Sequence, residues 1–374
     1  MHASLRVIVL LIAVLYVGPA AGQESELPPS QLSGLLGEDA NDAFERALTV
    51  REFTFPADHG PHPSFRNEWW YVTGNLDDDE GRRFGFELTI FRFSLTPFAP
   101  ESASAWRSNQ VYIAHLAVTD AEREEFLVAQ RYSRGAVGLA GAQAQPFRVW
   151  LDDWEIAAGA GDGWKLVAHD DAFGVDLDLT ALKAPTLNGN AGLSQKSAEP
   201  GNASYYYSMT RLATEGVIRI DDRDYRVSGL SWIDREWSSS ALAADQIGWD
   251  WFALQLDDGT DLMFYQIRRR DGSPDPLSKG TLVDASGRSS HLAIDDVELS
   301  VLDHWESSAG GRYPSRWTVR VPHLGLDVDV EPVIADQELF TTVRYWEGAV
   351  DVTGTRDGSP IRGRGYVELT GYAE

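Results

Sequence analysis

The sequence predicts an all-β protein built from two antiparallel β-barrel domains in tandem. Three observations carry this. Apolar and polar residues alternate with a period near two along most of the chain, the breaks between these runs are turn chemistry, and the two halves repeat one another.

The alternating runs are "FGFELTIFRFSL" (84–95), "QVYIAHLAVTD" (110–120), "FRVWLDDWEI" (147–156), "FGVDLDLTAL" (173–182), "SYYYSMTRL" (204–212), "GVIRIDDRDYRVSG" (216–229) and "DLMFYQIRRR" (261–270). Between them stand "DDDEG", "DDG", "RDGSPD" and "RDGSP", which favour tight turns. No segment beyond Leu48 keeps a helical period for three turns. The repeat aligns "EWWYVTGNLDDDEG" (68–81) with "GWDWFALQLDDGTD" (248–261), so that Trp69 meets Trp249 and Tyr71 meets Trp251. It also aligns Glu215–Asp234 with Glu347–Glu368, which sets Gly229 against Gly363 and Asp234 against Glu368. The boundary therefore falls near residues 240–247, giving domains 48–244 and 245–374. Barrels are the expected closure, because open sheets of such strands leave unpaired edges.

The first residues, "MHASLRVIVLLIAVLYVGPAAGQES", combine one arginine, an apolar run from Val7 to Val17 and small residues. That is the pattern of a secretory signal, with cleavage expected after Gly22 and export to a periplasm or beyond. The apolar run is too short to span a bilayer, and no second long one follows, so no integral membrane segment is expected after signal removal. Residues 23–47 read as a leader with a short helical pattern at "EDANDAFERAL". The chain has no cysteine, which excludes disulfides, thiolate metal sites, a lipid-bearing cysteine and a cysteine nucleophile. Its net charge of −25 repels nucleic acid and anionic membrane surfaces. No Gly-x-Ser-x-Gly elbow, P-loop or dinucleotide fingerprint is present, and no cofactor is predicted.

The chemistry concentrates in "SGLSWIDREWSSSALAADQIGWDWFALQLDDG" (228–259), with four tryptophans around Asp234, Arg235 and Glu236. In a strand, Trp232, Asp234 and Glu236 share one face and Ile233, Arg235 and Trp237 the other, so only one set can line a cavity. Arg235 reads either as the partner of a carboxylate or as an anchor for a ligand's polar end, and the ion pair is the favoured reading. "DHGPH" offers Asp58, His59 and His62, but no third histidine follows at ligand spacing, so loop hydrogen bonding is expected there and no metal. Glu68 reads as a strand end with one wet residue. His115 reads as a satisfied core histidine that could face a ligand in a barrel. The Gly/Ser/Asn-rich run 188–202 reads as a mobile loop over a barrel mouth, with Lys196 solvated.

Four segments in order, "FPADHGPHPSFRNEWWYVTGNL", "GLSQKSAEPGNASYYYSMTRL", "GLSWIDREWSSSALAADQIGWDWFALQLDDG" and "YWEGAVDVTG…GRGYVELTGY", resemble the AttH and carotenoid 1,2-hydratase-like family. The resemblance implies two lipocalin-type barrels. It also implies hydratase chemistry, the addition of water to an isoprenoid C=C bond, with an Asp-His-x-Trp motif where this chain reads Asp234-Arg235-Glu236-Trp237. Asp234 and Trp237 match that motif, and Arg235 occupies the histidine's place.

Hydrating an unactivated alkene requires a strong proton donor, a pocket that tolerates a carbocation, and a held water. A carboxylic acid kept neutral in an apolar site and aromatic faces supply the first two. Asp234, Glu236 and Asp250 are the candidate catalytic acids. Arg235, Trp237, Trp249, Trp251, Tyr265, Trp69 and His115 are the candidate ligand-binding residues. The expected partner is a hydrophobic isoprenoid or polyene, and the other reading is a lipocalin-type carrier that binds such a ligand without chemistry.

Overall fold

In the computed structural model, residues 43–98, 104–240 and 242–373 are described; the predicted signal and most of the leader lie outside them. The first sheet opens with β1 (Asn67–Asp78), β2 (Arg83–Ser94), β3 (Gln110–Asp120) and β4 (Glu125–Arg134). Shorter strands follow: β5 (Ala140–Ala144), β6 (Phe147–Leu151), β7 (Trp154–Ala158), β8 (Trp164–His169), β9 (Phe173–Ala181), β10 (Thr186–Leu187) and β11 (Leu193–Gln195). Two long strands, β12 (Ala203–Ile220) and β13 (Arg223–Ser238), complete it. The order β4-β3-β2-β1-β13-β12-β9-β8-β7-β6-β5 curls into a nearly closed barrel.

The second sheet comprises β14 (Gln246–Leu256), β15 (Asp261–Arg269), β16 (Lys279–Val283), β17 (Ser289–Ala293) and β18 (Glu298–Glu306). It continues with β19 (Arg312–Val321), β20 (Leu326–Pro332), β21 (Glu338–Phe340), β22 (Arg344–Arg356) and β23 (Ser359–Leu369). Its order, β17-β16-β15-β14-β23-β22-β20-β19-β18, is an antiparallel half-barrel, less closed than the first. Among the described residues the only helical segments are three-residue 3-10 turns, at Ala57–His59, Ile294–Asp296 and Pro322–Leu324.

Two runs that read as continuous each hold a hairpin. "FRVWLDDWEI" turns at Asp152 (φ 55°) and "GVIRIDDRDYRVSG" at Asp221 (φ 54°). Aspartate tolerates this left-handed backbone because its short polar side chain can hydrogen-bond locally. The helical pattern of the leader is corrected where it is described: residues 43–48 form no helix. There the Glu45 N–H donates to Ser64 O at 3.0 Å, the Ser239 hydroxyl donates to Glu45 O, and Phe44 and Ala47 are buried. Tertiary anchoring overrides a short helical pattern.

Strand β1 shows how the sheets meet. Trp70, Val72 and Leu76 point into the first barrel's core with Ile233 and Trp237. The alternate residues point out, yet Tyr71 is buried too, because it packs with Tyr206 and Trp232 against Trp251, Met263, Tyr265 and Tyr366 of the second sheet. The seam is therefore made from the outer faces of both sheets. Gly85 lets them approach, since a Cβ there would stand 2.6 Å from that of Ala349. At one end polar clamps close it: Asn75 Nδ2 donates to Gly365 O at 2.9 Å and Arg364 pairs with Asp77 at 2.6 Å. Asp261, fully buried, accepts from Lys183 Nζ at 2.7 Å, Arg211 Nε at 2.9 Å and Thr210 Oγ1 at 2.8 Å.

The internal repeat has a register counterpart. Tyr71 stands opposite Asp234 in the first sheet and Trp251 opposite Glu368 in the second. The Glu215–Glu347 match does not extend to the site: Glu215 is exposed opposite Ser228, whereas Glu347 is buried opposite Glu368. Ser208, opposite Asp234, takes the corresponding place.

Candidate functional site

The seam opens into a cavity of about 80 Å³ that lies between the sheets, outside either barrel's core. Trp69, Tyr71 and Phe91 wall it from the first sheet, and Trp249, Trp251 and Tyr265 from the second. Asp234 and Glu236 enter from β13, Glu347 and Glu368 from β22 and β23, and Lys196 from the segment after β11. Lining residues that keep some solvent exposure, Trp69, Lys196, Ser240, Leu242, Trp249 and Glu368, mark its mouth.

The predicted alternation decides which residues of "DREW" reach this chamber. Asp234 and Glu236 do. Arg235 and Trp237 are corrected, because they project from the opposite face of β13. Arg235 Nη2 pairs with Glu68 Oε2 at 3.0 Å and donates to Gly60 O at 2.7 Å, while Nη1 donates to Trp69 O at 2.7 Å. Its guanidinium lies 4.0 Å from the Trp70 ring centre. Trp237 stacks on His62 with ring centres 3.7 Å apart. Glu68 is not the wet residue its strand end suggested; it is fully buried, also bound by Arg92 and by His62. Burial alone would raise its carboxyl, but Arg92, His62 and Arg235 together hold it far below the usual range. The "DHGPH" loop is thus tied into this ion-pair network, His62 Nε2 lying 3.1 Å from Asp58. Among the described residues no group of three or more His, Asp or Glu is arranged to hold a metal ion.

Asp250 is likewise corrected. It faces the half-barrel side of β14, 2.9 Å from Arg268 Nε and 3.0 Å from the Tyr372 hydroxyl, out of the chamber. His115 stands one layer behind the wall, its Nδ1 2.7 Å from the hydroxyl of Tyr345, which does line the cavity. Burial depresses the His115 imidazole to about 3, so it is neutral. Run 188–202 is a strap rather than a mobile loop. Ser194 Oγ meets Tyr265 Oη at 2.8 Å, Lys279 Nζ donates to Gln195 O at 2.8 Å, and Gln246 Nε2 donates to Lys196 O at 2.8 Å. Lys196 is therefore held in place and mostly withdrawn from solvent, its side chain 17% exposed. Its Nζ sits 2.7 Å from Glu236 Oε1 and 4.7 Å from the Tyr265 ring centre.

The chamber's carboxyls fall into two environments. Asp234 accepts from Tyr206 Oη at 2.5 Å, Ser208 Oγ at 2.5 Å and Trp232 Nε1 at 2.8 Å. Burial pushes its carboxyl up to about 7, and these three donors oppose the rise by stabilising the anion. Trp251 Nε1 in turn donates to Tyr206 Oη at 3.1 Å, so a donor chain ends on Asp234. Burial would lower Lys196, but Glu236 beside it more than compensates and keeps the ammonium. Across the chamber, burial lifts Glu347 and Glu368 well above the usual carboxylate range, with Asp234 and Glu236 adding to the rise of Glu368. Glu87, behind them in β2, is raised by the same cause. No cation forms a salt bridge with these three among the described residues, which leaves burial to favour their neutral form.

Glu347, Glu368, Tyr206 and Tyr345 were not among the predicted site residues. The repeat held the one available signal, since it set Glu368 against Asp234. The raised acids also predict a pH dependence. A carboxyl whose folded pKa is raised stabilises the fold fully below its unfolded value, near 4.5, and that contribution is lost as pH rises through the folded value, about 8 for Glu368. Thermal melts are expected to fall between pH 5 and roughly 8.5, by up to about 1.4 kcal/mol per pH unit for each such group. Glu347→Gln should flatten the decline, and a pH-independent melt over that window would show the three acids to be ionised already.

A family model for AttH-like proteins matches residues 46–372. A crystal structure of a protein from Nitrosomonas europaea described as AttH is 35% identical, with a TM-score of 0.79, covering 88% of this chain and 100% of its own. Kievitone hydratase from Nectria haematococca is 15% identical, with a TM-score of 0.66, covering 88% of this chain and 97% of its own; at that identity the likeness is one of fold. No protein of curated function matches the sequence.

Proposed function

The chain belongs to the AttH-like family, and on that premise we propose that it is an exported, hydratase-like hydro-lyase that adds water across a C=C bond of an apolar, isoprenoid-type substrate. The observation that carries this reading is one aromatic chamber that holds buried carboxyls, all raised by burial, in two different hydrogen-bond settings. Burial favours the neutral form of Glu347 and Glu368, while Asp234 is surrounded by donors that favour its anion. The donors around Asp234 make it the base of this reading, while Glu368, which has no comparable set of donors, is the acid. That a protein sharing the fold is named a hydratase supports the same reading.

In the proposed reaction, the Glu368 carboxylic acid gives its proton to one alkene carbon and the π electrons form the new C–H bond. The resulting cation lies among the faces of Trp249, Trp251 and Tyr71, whose ring quadrupoles ease the charge. A water then attacks the cationic carbon through oxygen and yields its proton to Asp234. Proton transfer from Asp234 back to Glu368, directly or through solvent, restores both groups, and the net change is addition of one water. Glu236, neutralised by Lys196, is not the donor. A cavity of about 80 Å³ suits the reacting end of a ligand, the remainder of a long chain leaving past Ser240 and Leu242.

The test is to extract apolar material from the purified protein, identify it by mass spectrometry, and incubate it and synthetic prenyl-chain alkenes with the protein in heavy-oxygen water. A hydrated product carrying the heavy oxygen is expected. Ligand that binds tightly and is recovered unchanged would instead make the protein a carrier.

A further inference from the structure

The seam contains a hydrogen-bond chain that the proposed reaction does not use. It begins on β4, crosses to β3, and passes between the sheets to β22. Gln130 and His115 are cross-strand neighbours in the first sheet. The Gln130 amide oxygen accepts from the Thr342 backbone N–H at 3.2 Å and from its hydroxyl at 2.8 Å. A backbone N–H can only donate, so it fixes the amide's orientation and turns Gln130 Nε2, a donor, toward His115 Nε2 at 2.9 Å. His115 Nε2 must then be the unprotonated nitrogen. In a neutral imidazole the proton lies on Nδ1, which is 2.7 Å from Tyr345 Oη. The tyrosine oxygen accepts that proton, and its own O–H is free to point elsewhere. The other direction open to it is the chamber, where Tyr345 and Tyr71 form part of the wall beside the Glu347 carboxyl, whose two oxygens are buried and have no hydrogen-bond partner among the described residues.

We infer that Gln130, His115 and Tyr345 form a one-directional relay in which Gln130 sets the His115 tautomer and His115 aims the Tyr345 proton at Glu347. The chemical consequence follows from the state of Glu347. A neutral carboxylic acid has one carbonyl oxygen that accepts and one hydroxyl that donates. A tyrosine O–H directed at the carbonyl oxygen leaves the acid proton facing the cavity. Tyr345 and His115 are then positioning residues for Glu347, which stands opposite the donor Glu368 in the β22–β23 ladder and is oriented with it, and His115 acts from outside the chamber rather than as a ligand contact.

The relay also joins the two sheets chemically. Gln130 and His115 belong to the first sheet, Tyr345 to the second and Thr342 to the loop that joins its β21 and β22, so the aimed proton exists only while the seam is closed. Thr341 Oγ1 lies 3.4 Å from His115 Nε2, but its proton goes to Val343 O at 2.6 Å, so it does not compete with Gln130 as the donor.

This inference rests on the proposed reaction only for its effect on turnover; the tautomer itself is measurable without a substrate. With histidine labelled at both ring nitrogens, the ¹⁵N spectrum of the full-length protein at pH 7 is expected to show His115 neutral and protonated at Nδ1. Protonation at Nε2, or an imidazolium, overturns the relay. Gln130→Met keeps the side chain's length and removes the donor, and it should mix the two tautomers. With a hydrated alkene in hand, Gln130→Met and Tyr345→Phe should each lower kcat about tenfold with KM little changed, the size of one lost oriented hydrogen bond. Wild-type turnover with kcat unaffected in both variants overturns the positioning role while leaving the proposed reaction standing. If no alkene is hydrated, the reaction fails, and the tautomer spectrum still decides whether the relay exists.

Discussion

Arg235→Ala is expected to lower the melting temperature by roughly 10 °C, the largest stability loss of any single change in the "DREW" segment. The guanidinium is fully buried, binds Glu68, and donates to the carbonyls of Trp69 and Gly60. Truncation leaves those two carbonyls without this donor and leaves Glu68 with Arg92 and His62 alone. Breaking a buried pair by removing one partner typically costs about 3–5 kcal/mol. The loss should be visible by calorimetry or circular dichroism. Ligand affinity per folded molecule should be unchanged, because Arg235 does not reach the chamber. A melt within a degree or two of wild type would show that the network around Glu68 closes without it. Arg235→Lys should recover only part of the loss, since an ammonium cannot span Glu68 and both carbonyls as a planar fork does.

Strand periodicity made the fold and the two faces of β13 legible, and the structure divides Asp234 and Glu236 from Arg235 and Trp237 along that line. Periodicity could not say which face meets a cavity, because both are buried, one by the barrel's own core and the other by the second sheet. The same double burial hid Glu68, which reads locally as a wet strand end and is completed only by Arg92, Arg235 and the loop carrying His62. Lys196 sits in a Gly/Ser/Asn-rich run that resembles solvated loop, and only the crossing to Glu236 and Tyr265 shows otherwise. Glu347 and Glu368 lie in a strand pair with nothing locally unusual. Their raised carboxyls arise first from burial in the seam, with the nearby charges of Glu87, Asp234 and Glu236, from the other half of the chain, adding to the rise. Asp250 was misplaced for a simpler reason. It neighbours two tryptophans in sequence, and alternation sends it to the opposite side of β14 from both. Arg235, at the place where the resemblance implies a histidine, faces away from the chamber here.

The second large effect is expected at Glu368. Glu368→Gln should reduce alkene hydration by about three orders of magnitude, within the range a general acid contributes, while ligand binding and folding persist. Glutamine keeps the side chain's shape and the neutral form that burial favours, so a loss of rate in a variant that folds and binds ligand reports the missing acid proton. The wild-type pH profile checks the same assignment independently. Asp234 must be ionised to accept a proton, so activity should rise through about 7, the value to which burial lifts it. Glu368 must be protonated to donate, so activity should fall as pH passes about 8. The two limbs leave a narrow optimum between them, and Asp234→Asn should remove turnover by deleting the base. If Glu368→Gln retains full turnover, the proton comes from Glu347, the other neutral acid lining the chamber, and Glu347→Gln should then show the loss. Full turnover in both variants would leave the chamber without its acid and would remove acid-catalysed hydration as the function of this site.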